Sequence, residues 1–207
     1  MSAEDGKIHA AIAALNNDLN LDAHLGCIVE FDDERQGKGP RASLLYLRFS
    51  EDRPNVEAFA AFLWAQCMYY ALPRKKRLKF LQRINEDFSQ VALANQAVRD
   101  AFITFNRLHP SRASEFGEVL AYCIAQKKLG AAQIASKMAL KTSANMPIHG
   151  LDGVHAIFDS NGLTVYFLES KVAASANDGI RDYVSSSESF INNRVQYLRE
   201  YQLVFAT

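Results

Sequence analysis

Two rhythms of apolar residues alternate along this chain, one of helical period and one of strand period. Lys7 to Leu19 predicts an alanine-rich helix of modest amphipathicity. Leu25 to Phe31 and Ala42 to Phe49 predict two strands, and Asp32 to Arg41, with Gly37, Gly39 and Pro40, joins them as a hairpin. Val56 to Leu72 is a strongly apolar helix. Pro73 suits the first turn of a following helix that continues through Lys79 to Asp87. Gln90 to Asn106 predicts a further helix before the His109-Pro110 break.

From Ser111 the pattern changes. A helix over Ser114 to Lys128 leads into a Gly130-Ala-Ala linker and a polar stretch from Lys141 to His149. Strands over Gly153 to Phe158 and Leu163 to Lys171 flank Asp159-Ser-Asn-Gly162, a turn composition. Helices over Asn177 to Ile191 and Asn193 to Val204 close the chain. The order predicts an α/β (α+β) fold in two parts: residues 1–110, a strand hairpin with an α-rich region, and residues 111–207, where the candidate chemistry lies. No internal repeat interrupts it.

Composition narrows the class. A chain of 207 residues, 49% hydrophobic and 22% charged, is long enough for one good core and is not disordered. Its 23 basic and 23 acidic residues cancel, so any nucleic-acid surface is local. Cys27, Cys67 and Cys123 are scattered and odd in number, which argues against a disulfide framework or a structural zinc site. The opening Met-Ser-Ala-Glu-Asp-Gly has no leader pattern, and the apolar run Ala58 to Leu72 is too short to span a bilayer. The expectation is a soluble, cytoplasmic protein.

Three signals carry chemistry. The strand Val165-Tyr-Phe-Leu ends in Glu169-Ser-Lys171, and strand alternation points Glu169 and Lys171 the same way. Asp152-Gly153 leads into the apolar run Val154 to Phe158. Glu118 is the single charged residue of Phe116 to Gln126, a helix apolar nearly all round and so expected to be buried. Each has a bland alternative: a surface ion pair, a turn dipeptide, a salt-bridged structural carboxylate. A helix acid, an acid at a strand entry and an acid-x-lysine at a strand end, in that order, are more specific together. Acidic oxygens suit Mg2+ or Mn2+, and a lysine beside them suits developing charge on a phosphodiester. His149 and His155 lack zinc-ligand spacing; His155 is expected to be a packed or surface histidine, and His149 could touch substrate.

These segments resemble the PD-(D/E)xK nuclease superfamily, with Glu118 matching its helical acid, Asp152 its strand-entry acid and Glu169-Ser170-Lys171 its (D/E)xK. Pro147 is displaced from the position just before Asp152. A closer resemblance, over roughly Phe116 to Leu203, is to the HamA family, the nuclease subunits of Hachiman anti-phage defence. It rests on Phe116-Gly-Glu-Val-Leu-Ala-Tyr, Gly150-Leu-Asp-Gly-Val-His155 and Leu168-Glu-Ser-Lys171. The resemblance implies a restriction-endonuclease-like core and a Mg2+-dependent DNA nuclease, with Glu118, Asp152 and Glu169 holding the metal and Lys171 assisting. It also implies a superfamily-2 helicase partner, HamB-like, that restrains the nuclease. A non-catalytic subunit that regulates the helicase, or an RNase on the same fold, are the alternatives.

Lys137 and Lys141, just before the acidic loop, are the expected contacts to the DNA backbone. Arg74-Lys-Lys-Arg77 with Lys79 is the densest positive run, either a phosphate-tracking patch or a solvated helix face. The aromatic residues of Val56 to Leu72, Trp64 and Tyr69 among them, are core by default and a partner surface where exposed.

Overall fold

Two asparagines end the first helix. In a computed structural model of the chain, which describes residues 3–32, 41–108, 115–136, 152–195, 197–198 and 202, helix α1 spans Ala3–Ala13. It therefore starts and stops earlier than the apolar pattern predicts. Asn16 Nδ2 donates to the Gly130 carbonyl at 3.2 Å and Asn17 Nδ2 to the Tyr122 hydroxyl at 2.7 Å. Both are tertiary bonds that pull the chain off the helix axis, and Leu19 and Leu21 are buried immediately after.

Strands β1 (Leu25–Asp32) and β2 (Arg41–Leu47) pair antiparallel, Leu25 opposite Leu47, as the hairpin reading expects. Two-residue strands β3 (Phe49–Ser50) and β4 (Arg53–Pro54) follow. Helix α2 covers Val56–Ala71; the Asn55 side chain caps it by accepting from the Ala58 amide at 3.2 Å. Pro73 then separates it from α3 (Arg74–Glu86), and α4 covers Val91–Leu108. Helix α5 spans Glu115–Leu129, close to prediction.

The region read as a linker after Gly130 contains a strand, β5 (Ala132–Ser136). Gly130, at φ +64°, turns the chain into it. β5 pairs antiparallel with β6 (Gly153–Asp159), which pairs antiparallel with β7 (Gly162–Leu168), giving a sheet of order β5-β6-β7. Helix α6 (Ala176–Asn192) follows, capped by the Ser175 hydroxyl.

Helices cover this sheet on both faces. His155 and Val154 point to opposite sides of β6. On the His155 side its ring meets Tyr122 of α5, centroids 5.9 Å apart. Phe167, paired with Val154, meets Phe190 of α6 at 5.6 Å on the other side. A core cluster joins Leu63, Cys67 and Tyr70 of α2, Val98 and Ala101 of α4, and Val119, Tyr122 and Cys123 of α5, with Leu19 and Leu21. It draws on residues from both sides of position 110. The fold is α+β. No described helix is long and apolar enough to cross a membrane.

Candidate functional site

Glu118 lies in the first turns of α5, and the helix buries it as its apolar surroundings require: 3% exposed. A buried carboxylate needs donors. Tyr70, itself 2% exposed on α2, donates its hydroxyl to Glu118 Oε2. Nothing in the period of α2 marks Tyr70 as more than a core aromatic; only the packing of α2 on α5 reveals it.

Asp152 stands one residue before β6 and is 8% exposed. Its amide donates to the Leu168 carbonyl at 2.8 Å, which closes the mouth of the β6–β7 hairpin. Its Oδ2 accepts from both the amide and the hydroxyl of Ser170, each at 2.8 Å. That capture explains why β7 stops at Leu168 instead of running to Lys171 as expected. The Ser170 amide is spent on a side chain, so the ladder cannot continue.

The hairpin register ends with Gly153 opposite Leu168, so Asp152 and Glu169 each stand just beyond the last pair of the ladder. Beyond the strand end, Glu169 and Lys171 still share a side. Lys171 Nζ lies 2.5 Å from Glu169 Oε1, with 10% of the Glu169 side chain and 30% of the Lys171 side chain exposed. The Glu169 carboxylate is therefore mostly shielded, while Lys171 stays exposed.

Gly117 ties α5 to the same segment. A Cβ on Gly117 would stand 2.7 Å from Val172 Cγ2 and 3.7 Å from Ser170 Oγ. The glycine admits residues 170–172 against the helix beside Glu118. Three stretches far apart in sequence thus meet at one end of the sheet: the start of α5, the entry to β6 and the exit from β7. Among the described residues no group of three or more His, Cys, Asp or Glu is arranged to hold a metal ion. Asp152 and Glu169 are the acids that flank the last pair of the β6–β7 ladder. A pair of carboxylates fits Mg2+, which commonly takes one or two and completes its shell with water and substrate oxygens.

His155 is buried, 1% exposed, and neither ring nitrogen has a hydrogen-bond partner among the described residues. Burial lowers its pKa to about 4, so the ring is neutral. It is a packed histidine, as expected, lying between Gly153 and Tyr122. Burial pushes the Cys67 and Cys123 thiols up to about 12, so neither is a thiolate nucleophile. Lys137, Lys141 and His149 lie outside the described residues. A cleft of about 720 Å³ between α1 and the β6–β7 turn, lined by His9, Asn16 and Asp159 among others, contains none of the four predicted site residues.

Fold and site together define an α+β protein with an acid and an acid–lysine pair at the mouth of a helix-covered antiparallel sheet, and a further acid buried in the helix packed beside it. The HamA family model matches residues 22–206, and the chain belongs to the HamA family. That membership suggests a role in two-component anti-phage defence. No curated protein and no solved structure matches the chain.

Proposed function

We propose that this HamA-family protein is a metal-dependent DNA nuclease, the effector of a two-component anti-phage system that acts with a helicase. The observation that supports this most directly is the placement of Asp152 and the Glu169–Lys171 pair at the adjoining ends of β6 and β7, beside the turn of α5 that carries Glu118. On this reading α5, β6, β7 and α6 are the elements of a PD-(D/E)xK core.

Asp152 and Glu169 would hold Mg2+ or Mn2+, with Glu118 acting directly or through water. The ion, when bound, supplies Lewis acidity toward the phosphate and an acidified water. The chain's own groups do the rest. The Ser170 amide and hydroxyl fix one oxygen of Asp152, so its carboxylate is oriented before substrate arrives. Glu169 fixes the Lys171 ammonium, which stabilises the negative charge that grows on the phosphoryl oxygens as water adds and the 3′ oxygen leaves. Tyr70 holds the Glu118 carboxylate in place. Lys137 and Lys141 are proposed backbone contacts. The helicase is proposed to dock on residues 1–110, where the Trp64 side chain is 53% exposed.

Plasmid degradation by the purified protein, alone and with its helicase, is the test. Activity should require Mg2+ or Mn2+, stop with EDTA, and be abolished by Glu169→Ala or Lys171→Ala with thermal stability little changed. Full activity in Lys171→Ala would remove the lysine from the mechanism. Parallel assays on single-stranded DNA and on RNA decide the substrate class.

A further inference from the structure

Helix α3 carries a charge distribution that the site does not use. Between Arg74 and Arg83 it places Arg74, Lys75, Lys76, Arg77, Lys79 and Arg83, with no acid among them. The chain as a whole is neutral, so this is a local excess.

Helix geometry sorts these cations. At about 100° per residue, Arg77, Phe80 and Ile84 fall on one side, and these are the half-buried positions. Lys75, Lys76, Lys79 and Arg83 fall within an arc of about 100° on another side, and all four are exposed. Lys75, Lys79 and Arg83 form a row with a rise of about 6 Å per step. Arg77, turned inward, places its guanidinium 5.0 Å from the Tyr69 ring centroid, next in sequence to the tyrosine that holds Glu118. α3 therefore packs on α2, the helix that carries Tyr70.

Two features separate this face from an ordinary solvated one. Surface helices commonly balance cations with acids three or four residues away. Among the described residues none of these four cations has an ion-pair partner, and the nearest acid on the helix, Glu86, accepts from Gln82 instead. The first turn of α3 is also cationic throughout, at the helix end where the dipole favours negative charge. The helix keeps this charge against its own stability, and an external polyanion relieves it.

We propose that the exposed face of α3 binds the phosphate backbone of DNA and guides it to the site of Asp152, Glu169 and Lys171; this rests on the nuclease reading. An anionic membrane is the competing partner. It requires an apolar face to insert, and α3 turns Phe80 and Ile84 inward, leaving only Leu78 and Leu81 outside.

The test uses the full chain with a short fluorescent DNA duplex in EDTA, so that binding is read without cleavage, over a range of salt. Lys75→Ala/Lys79→Ala/Arg83→Ala should weaken binding about tenfold or more at moderate salt. It should also lower the slope of log affinity against log salt by roughly 2 to 3, about 0.9 for each phosphate no longer neutralised. Thermal unfolding of the triple variant checks its fold, and single Lys79→Glu, expected to weaken binding in the same direction, serves if the triple variant does not fold. Unchanged affinity and slope overturn the proposal. So does loss of binding to phosphatidylserine vesicles with duplex binding intact. Cleavage is read separately: a protein that binds through α3 but never cuts overturns the nuclease reading alone, and one that cuts but binds independently of α3 overturns this proposal alone.

Discussion

The amide and the hydroxyl of Ser170 donate to the same oxygen of Asp152, both at 2.8 Å. The middle residue of Glu169-Ser-Lys171, the position its motif leaves free, therefore sets the orientation of the acid just before the neighbouring strand. Ser170→Ala keeps the amide bond and removes the hydroxyl. Hydrogen bonds to charged groups contribute about 1.5–3 kcal/mol, and the surviving amide bond places this one at the low end. We expect a stability loss of about 1 to 2 kcal/mol by denaturant unfolding. Nuclease activity should fall but persist, and Ser170→Thr should restore it. Activity in Ser170→Ala equal to the parent would show that the hydroxyl does not position Asp152.

The Tyr70–Glu118 bond makes a different prediction. Removing a donor from a buried carboxylate costs about 1–3 kcal/mol, because the acceptor stays desolvated. Tyr70→Phe should cost that amount. Glu118→Gln relieves the charge, so Tyr70→Phe/Glu118→Gln should lose less than the two single changes together. Strict additivity would mean that the hydroxyl does not support this carboxylate.

How much of this is legible in the sequence varies by element, for physical reasons. The hairpin of Leu25–Asp32 with Arg41–Leu47, helix α2 between Asn55 and Pro73, and the strands around Asp159-Ser-Asn-Gly162 all carry strong local signals, and the structure has them. Strand β5 does not: Ala132, Gln133 and Ala135 alternate too weakly in hydrophobicity to stand out, and only the neighbouring β6 makes them a strand. The burial of Glu118 is readable because no other charge shares its stretch of helix. Tyr70 is not, because one tyrosine among several aromatics has no distinguishing period, and its role arises from packing between elements about fifty residues apart. The end of β7 escapes the pattern for a similar reason: the side chain of Asp152, just before β6, takes the Ser170 amide.

His155 carries a pH dependence whose sign follows from its burial. The ring is neutral in the folded state, with a pKa lowered from 6.5 to about 4, and faces the neutral Tyr122 across the α5 packing surface. Below pH 6.5 the unfolded chain takes up a proton that the folded chain refuses. Stability is therefore full above about pH 6.5 and falls as the pH drops toward about 4. The shift corresponds to about 3 kcal/mol at most. His155→Gln should flatten the stability profile over this window relative to the parent, whatever its effect at neutral pH. Parallel profiles for the two proteins would mean that His155 does not titrate differently on folding.

Gly117 separates helix propensity from site geometry. Inside α5, alanine is intrinsically better than glycine by about 0.8–1 kcal/mol. Here its Cβ would meet Val172 Cγ2 at 2.7 Å, and one of the two must give way. Val172 is 70% exposed, so residues 170–172 can move outward into water instead of straining the helix. Gly117→Ala should then leave the unfolding free energy within about 1 kcal/mol of the parent, the propensity gain offsetting the looser packing of Val172. The displaced segment carries Lys171 away from its place beside Glu169 and Ser170 away from Asp152. Activity should therefore fall by about 10- to 100-fold, as small misplacements of reacting groups do. Val172→Ala removes the Cγ2 atom that causes the clash. Gly117→Ala/Val172→Ala should recover most of the activity, while Val172→Ala alone changes it little. A Gly117→Ala protein that unfolds several kcal/mol more easily would show that the segment cannot yield, and one with unimpaired activity would show that the approach of α5 to residues 170–172 does not set the position of Lys171.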